Sequence, residues 1–445
     1  MKKNNEFYNE LKQLVAFPSI SSDPGYRESL FECASYLQGK LENIHAETKM
    51  IETKGYPLIV AKIERNPLWP TIAIYNHYDV QPIAEPDKWE SDPFVLRAKN
   101  GKYFGRGASD NKGNLLIALK AVERALEHDI ALNFEFIYEG EEESGSPNFK
   151  EGMYKAKKFL NPDSIIVADA GWVSKDQPSI IYGLRGLLYM HWDLKTGDKS
   201  MHSGGFGGAV RNPVEELMQV VVKCHDSKTG RILIPGVYEK VKEPDKEEVK
   251  NWMDVDIDAE KLIKIHKLTN LRVKDKVSLL KALWAMPTFE VHGCIGGYMK
   301  KDGRMTVIPP EAQLLVSMRL VLDQKPEEIF ELVTRYVAKL NPDIEVKMVS
   351  AANPYVGDYN SKEIRNASQS LKNCFGFPVV KIRMGGSIGA VVDMHDILGK
   401  PQMLLMSFGL PEYGTHGPNE YFEQKQADRG ISAFLNYFKL MEGTL

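Results

Sequence analysis

The chain has 445 residues, 43% apolar and 26% charged, with a formal net charge of -3. That length exceeds what one hydrophobic core usually spans, so two or more domains are expected. Lysines are interspersed with acids and no apolar run approaches a membrane span, which excludes nucleic acid and membrane as partners.

The opening MKKNNE leads into an amphipathic helical pattern and not into the apolar core of a secretory leader, so a cytoplasmic location is expected. Cys33, Cys224, Cys294 and Cys374 form no C-x-x-C pair, as suits reduced thiols in a reducing compartment. Residues 6–16 carry Phe7, Leu11, Leu14 and Val15 at helical spacing and stop before Pro18, and a second helix is predicted over 27–42. Strands follow at 58–63 and 71–76. The second, TIAIYNHYDV, ends in His77 and Asp79. Two apart on an extended chain, these side chains share a face, so one imidazole nitrogen could ligate a metal while Asp79 accepts a hydrogen bond from the other.

Pro82, Pro86 and Pro93 mark a loop that returns through YFGRGASDNKGN. Leu115, Leu119, Val122 and Leu126 step by four, three and four, predicting a helix from about Lys112. Asp110 then lies just before the first turn, where a carboxylate would accept backbone N–H groups and be held rigidly. The strand NFEFIY (133–138) runs into EGEEESGS, and SIIVA (164–168) delivers Asp169. Strand carboxyl ends are where α/β sheets place their sites.

From Ile180 the pattern changes. SIIYGLRGLLYMHWDLK reads as strand and leads to SMHSGGFGG and a helix capped by Asn212, with Pro213 at its first position. Residues 231–285 are charged and mostly helical in pattern. Strands return at 288–294 and 312–321, separated by GGYMKKDGRMTVIPP, and a helix begins near Pro326. A helix over 361–374, the strand PVVKIRM, the turn GGSIG into a helix, the strand QMLLMSFGL and a final helix then resume the first unit. The expected fold is α/β. A catalytic domain of residues 1–182 and 355–445 has a mixed, mostly parallel sheet flanked by helices, and residues 183–354 form an inserted α+β lid.

His77, Asp110, Glu143, Asp169 and His416 together offer two imidazoles and three carboxylates, with Glu142 adjacent. Such a set could hold two divalent ions about 3.5–4 Å apart with one carboxylate bridging. Without thiolate donors zinc is favoured, with manganese or cobalt as alternatives.

The pieces NHYDV, GRGASDNKG, EGEEESGS, VADAG, SMHSGGFGG, TVIPP, SMRL, GGSI and GTHGPNE run in order from residue 76 to 420. They resemble the co-catalytic di-metal aminoacylase and carboxypeptidase family that includes succinyl-diaminopimelate desuccinylase, acetylornithine deacetylase and the carnosinase-type dipeptidases. EGEEESGS, SMHSGGFGG and the long lid look closest to the carnosinase branch.

The resemblance implies that His77, Asp110 and Asp169 bind one metal and Asp110, Glu143 and His416 the other. It also implies that Glu142 is the general base, that Asp79 orients His77, and that the Asp110–Asn111 peptide is cis. Asn111 stands where the family usually has a second Asp. His202 resembles a lid histidine that reaches a partner subunit's active site, which implies a homodimer through the lid. Arg319 resembles the residue that takes the substrate carboxylate, with Gly386, Ser387 and Thr306 contributing. The implied activity is hydrolysis of small dipeptides with a free carboxylate; an N-acyl-amino-acid deacylase or carboxypeptidase is the alternative.

Overall fold

The computed structural model describes residues 2–299, 303 and 305–443, so residues 300–302 and 304 of the connection before TVIPP lie outside it. Its larger sheet contains β1 (Glu47–Ile51), β2 (Leu58–Ile63), β3 (Thr71–His77), β4 (Asn133–Glu139), β5 (Ser164–Val167) and β6 (Ser179–Leu184). A smaller sheet contains β7 (Gly186–Lys195), β8 (Thr288–Ile295), β9 (Glu311–Leu320) and β10 (Ile344–Ala352). The chain then returns to the larger sheet with β11 (Tyr355–Val356), β12 (Val380–Met384) and β13 (Gln402–Leu405).

The larger sheet runs β1-β2-β4-β3-β5-β13-β6-β11, with β12 also paired to β6. It is parallel through β4-β3-β5-β13 and in the β6–β12 pair, and antiparallel elsewhere. Its middle strands are buried on both faces, hence their near-continuous apolar runs. Ile72 and Ile74 point into one core, shared with the helices Lys2–Val15, Arg27–Asn43, Lys112–Glu127, Lys362–Phe375 and Gln424–Glu442. Ala73 and Tyr75 point into the other, shared with Phe149–Ala156 and Gly389–Ile397.

The smaller sheet is antiparallel in the order β8-β9-β7-β10. Along β7 the residues Leu188, Met190, Trp192 and Leu194 are buried alternately against Leu217, Val220, Val333 and Val337 of the helices Pro213–Cys224 and Pro326–Leu340. This is the α+β lid carried on the α/β domain. The single strand expected from residue 179 is two strands in different sheets, hinged at Arg185. Strands β1 and β10 escape the sequence pattern because they are half-exposed edge strands, in which charged residues interrupt the alternation.

Within 231–285 only Lys246–Trp252, Ala259–His266 and Lys276–Trp284 are longer helices. Trp252, Val255, Leu280 and Trp284 join the second core of the larger sheet and not the lid's core. Buried Glu248 fastens this segment: Arg383 of β12 donates to it through Nε (2.6 Å) and Nη2 (2.7 Å), and Tyr182 of β6 donates its hydroxyl. Among the described residues no helix is long and apolar enough to cross a membrane.

Glu135 lies in β4 with one carboxylate oxygen accepting from the Asn161 N–H at 2.9 Å and the other without a hydrogen-bond partner among the described residues. Burial pushes its carboxyl up to about 7, with the Asn161 bond and Lys62 opposing. Because the folded pKa lies above the unfolded one, the folded state binds more protons, and stability falls as pH rises from about 4.5 to 7. Glu135→Gln is therefore expected to remove up to about 3 kcal/mol of that loss, so that urea midpoints favour the variant at pH 8 much more than at pH 4.5.

Candidate metal centre

The site stands at the carboxyl ends of the parallel strands. His77, the last residue of β3, is fully buried. Its Nε2 lies 3.1 Å from Asp110 Oδ1 and 3.8 Å from Asp169 Oδ2. Its Nδ1 is 3.1 Å from the Asp79 carbonyl and 3.3 Å from Asp79 Oδ1. Asp110 turns its other oxygen, Oδ2, to His416 Nε2 at 3.1 Å, and that nitrogen is 3.2 Å from Glu143 Oε2. Two groups result, His77–Asp110–Asp169 and Asp110–Glu143–His416, each with ligand atoms all within 4.8 Å of one another. Asp110 belongs to both.

Each position has a local cause. The helix Lys112–Glu127 starts after a cis Asp110–Asn111 peptide. A Cβ on Gly113 would fall 2.1 Å from the Ala108 carbonyl oxygen, so only glycine lets the loop fold back onto the first turn. The carboxylate of Asp110 does not take the helix N–H groups that its position suggests. The N-cap is Asn111, which makes no capping bond, and the two imidazoles occupy Asp110 instead.

Glu420 takes up the backbone donors. Its carboxylate accepts from the N–H groups of Gly107 (3.0 Å), Ser109 (2.8 Å) and Asp110 (3.0 Å) and from Arg106 Nη1 (2.8 Å). The same guanidinium donates to the His416 carbonyl at 3.2 Å. Glu420 and Arg106 are buried, and neither was singled out in the sequence. They are 314 positions apart, and no local spacing announces such a pair.

Asp79, also fully buried, does more than face His77. Its oxygens accept from the N–H groups of Glu142 (3.1 Å) and Glu143 (3.0 Å) and from Ser21 Oγ (2.6 Å). Thus one carboxylate anchors both the β3 end and the turn after β4. Glu143 Oε2 accepts from Gln81 Nε2 at 2.7 Å. Asn111, in the place of the family's usual Asp, donates to Asp169 Oδ1 at 3.1 Å and to the Ala168 carbonyl at 2.9 Å. An aspartate could make neither bond while ionised.

Electrostatically the cluster is crowded with acid. Burial pushes Asp169 up to about 7, with His77 opposing. Burial also pushes Glu142 well above the carboxylate range, and Asp169, Glu143 and Glu139 add to it. The bonds from Asp110 and Glu143 lift His416 to about 10. Burial alone would lower His77, but Asp169, Asp110 and Asp79 raise it well above its ordinary value. Glu143 Oε1 is buried without a hydrogen-bond partner among the described residues. A set of hard oxygen and imidazole donors, repelling one another around an orphaned carboxylate oxygen, fits divalent cations.

The other expected residues lie elsewhere. Arg319, on β9, donates to Ser387 Oγ at 2.8 Å, and Ser387 donates to the Arg185 carbonyl. Arg185 donates through Nε to the Gly385 carbonyl at 3.0 Å, and its N–H reaches the Gly386 carbonyl at 3.1 Å. Burial lowers both guanidiniums, Arg185 to about 10 with Arg319 contributing, and among the described residues no carboxylate pairs with either. His202, on a short ladder in the lid, and Thr306, just before the ladder's other strand, are exposed, and His202 Nδ1 accepts from the Gly204 N–H. No hydrogen bond or ion pair among the described residues joins them to the two ligand groups.

A family model described as peptidase family M20/M25/M40 matches residues 73–439. The chain is 31% identical over 457 aligned residues to a Beta-Ala-His dipeptidase of Mus musculus, covering 98% of this chain and 92% of that protein. It is 30% identical to a Cys-Gly metallodipeptidase of Schizosaccharomyces pombe, covering 98% and 95%. Among solved structures, the M20 family metallo-carboxypeptidase Sso-CP2 of Sulfolobus solfataricus superposes with a TM-score of 0.91 at 32% identity, covering 98% of this chain and 99% of that one.

If Glu420 holds Asp110 and His416 in place, Glu420→Gln should weaken divalent-ion binding by about 10–100-fold, as loss of a partner behind metal ligands does. Titration calorimetry with zinc measures this, and unchanged affinity in a folded variant would reject the role.

Proposed function

The chain is a metallopeptidase that belongs to family M20/M25/M40, and from that premise we propose that it is a dipeptidase, cleaving the amide bond of small peptides that end in a free carboxylate. The observation that carries this reading is Asp110, shared between two ligand groups at 3.1 Å from each imidazole, with Glu142 next in the chain to Glu143 of the second group. In this reading His77, Asp110 and Asp169 would hold one divalent ion and Asp110, Glu143 and His416 the other. Zinc suits the donors, and manganese or cobalt would accept the same set. Such ions, when bound, act as Lewis acids toward the scissile carbonyl and lower the pKa of water.

The chain's own residues do the rest. Glu142 takes a proton from the attacking water at its carboxylate and returns it to the leaving amine nitrogen. Its neighbour Glu143 is turned away toward His416 and Gln81, because adjacent side chains on this turn diverge. Asp79 keeps both backbone positions still while orienting His77. Arg319, whose guanidinium fork suits a carboxylate, takes the substrate's C-terminus together with Ser387 and the Gly386 backbone. His202 and Thr306 act from the lid of a second copy, which is why a homodimer belongs to the proposal. Their separation from the ligand groups of their own chain supports it. A cytoplasmic location is proposed on the four free thiols.

The alternative, a carboxypeptidase or N-acyl-amino-acid deacylase, uses the same residues. The likeness to a metallo-carboxypeptidase keeps it in view. The deciding assay pits free dipeptides against N-acetyl amino acids and a tripeptide on zinc- or manganese-reloaded protein. Preference for dipeptides supports the dipeptidase, and preference for either other class moves the assignment. Glu142→Ala is expected to retain both ions while losing about 10²–10⁴-fold in kcat, and substantial residual turnover would remove Glu142 from its role. Arg319→Met should raise KM for free-carboxylate dipeptides far more than for their C-terminal amides; equal effects on both would rule out carboxylate recognition.

A further inference from the structure

A cleft of about 460 Å³ opens directly on the carboxylates of Asp110 and Asp169. It is large enough for a small-molecule group, and such sites combine apolar walls with a few polar groups at one end. Here the polar end is the candidate metal centre. The walls beyond it are Val173, Ile257, Trp284, Ile382, Met384 and Leu410. Trp284, Ile382 and Leu410 are nearly fully buried, so they present a fixed surface. Arg383 also borders the cleft, but its guanidinium is engaged twice by Glu248. Apart from Asp110 and Asp169, no charged side chain bordering the cleft is left to meet a charged ligand.

The lining joins this cleft to the proposed site. It includes Asp110 and Asp169, and also Met384, which directly precedes the Gly385–Gly386–Ser387 turn beside Arg319. A peptide with its amide at Asp110 and its carboxylate at Arg319, as proposed above, would bring a side chain flanking that amide to this lining. Two walls, Ile257 and Trp284, come from the 231–285 segment, packed there against the larger sheet. We propose that this cleft receives a bulky apolar side chain flanking the scissile amide, making the enzyme selective for dipeptides with leucine-like or aromatic residues and against charged ones. The proposal rests on the dipeptidase reading above. Transfer of an apolar side chain into such walls is favourable, whereas an unpaired charge there is penalised.

The test is kcat/KM of the zinc-reloaded full chain on Ala-Ala, Ala-Leu, Leu-Ala, Ala-Lys, Lys-Ala, Ala-Asp and Asp-Ala. At one of the two positions leucine should exceed alanine by tenfold or more, with lysine and aspartate below alanine. Ile257→Glu should lower the leucine-to-lysine ratio at that position at least tenfold, while Ile257→Val keeps it. The ratio is the readout because a general loss of folding lowers all substrates alike. A flat preference at both positions, or an unchanged ratio in Ile257→Glu protein that melts normally, overturns the proposal. If only N-acetyl amino acids are cleaved, the dipeptidase reading fails and the ratio of N-acetyl-leucine to N-acetyl-lysine judges the cleft by the same standard. If neither class is turned over, calorimetric affinities of leucine and lysine for the zinc-loaded protein decide.

Discussion

The buried pair of Arg106 and Glu420 is the constraint on which the centre depends. An ionised carboxylate out of water is costly unless donors surround it, and Glu420 is surrounded by three backbone N–H groups and a guanidinium. Those donors belong to the loop that presents Asp110, and Arg106 extends the arrangement to the carbonyl of His416. The Trp89 ring lies 5.4 Å from the guanidinium and covers it. Asp110 and His416, far apart in the chain, are thereby fixed to one another by protein donors.

Asp79 plays the matching part on the other side. It is fully buried, and it takes the N–H groups of Glu142 and Glu143, the hydroxyl of Ser21 and the imidazole of His77. The site thus has two inner carboxylates, each saturated by protein donors, and an outer set that is not saturated. Polar groups satisfied by the fold give rigidity; groups left in mutual repulsion give affinity for cations. Asn111 provides through its amide a donor for Asp169 that an ionised carboxylate could not.

The 231–285 segment links the fold to the proposed specificity cleft. Glu248 and Trp252 bind Arg383 and Tyr182 beneath β12 and β6, so the strand that leads into the Gly385–Ser387 turn is held from below by a segment inserted between lid strands. Arg185, at the crossing from one sheet to the other, fastens the same turn through its side chain and both of its backbone groups. Among the described residues no carboxylate pairs with Arg185 or Arg319, as suits the proposal that an anionic substrate group docks there.

From the sequence alone the strand ends could be read with their chemistry: TIAIYNH into His77 and Asp79, NFEFIY into the glutamates, SIIVA into Asp169, and Asp110 ahead of the Lys112 helix. Period-two and period-3.6 patterns are local, and side chains at strand ends inherit their direction from them. The motif order also carried the family, and with it the grouping around a shared Asp110. Only the tertiary structure decided that Asp110 faces two imidazoles and not its own helix, that Glu420 and Arg106 hold it there, that the 179–195 run divides between two sheets at Arg185, and that Trp252 and Trp284 serve the larger sheet. Each of these is a contact between residues far apart in the chain. Such contacts are set by which surfaces must be buried and which donors a buried charge can find, and neither is written in the spacing of neighbouring residues.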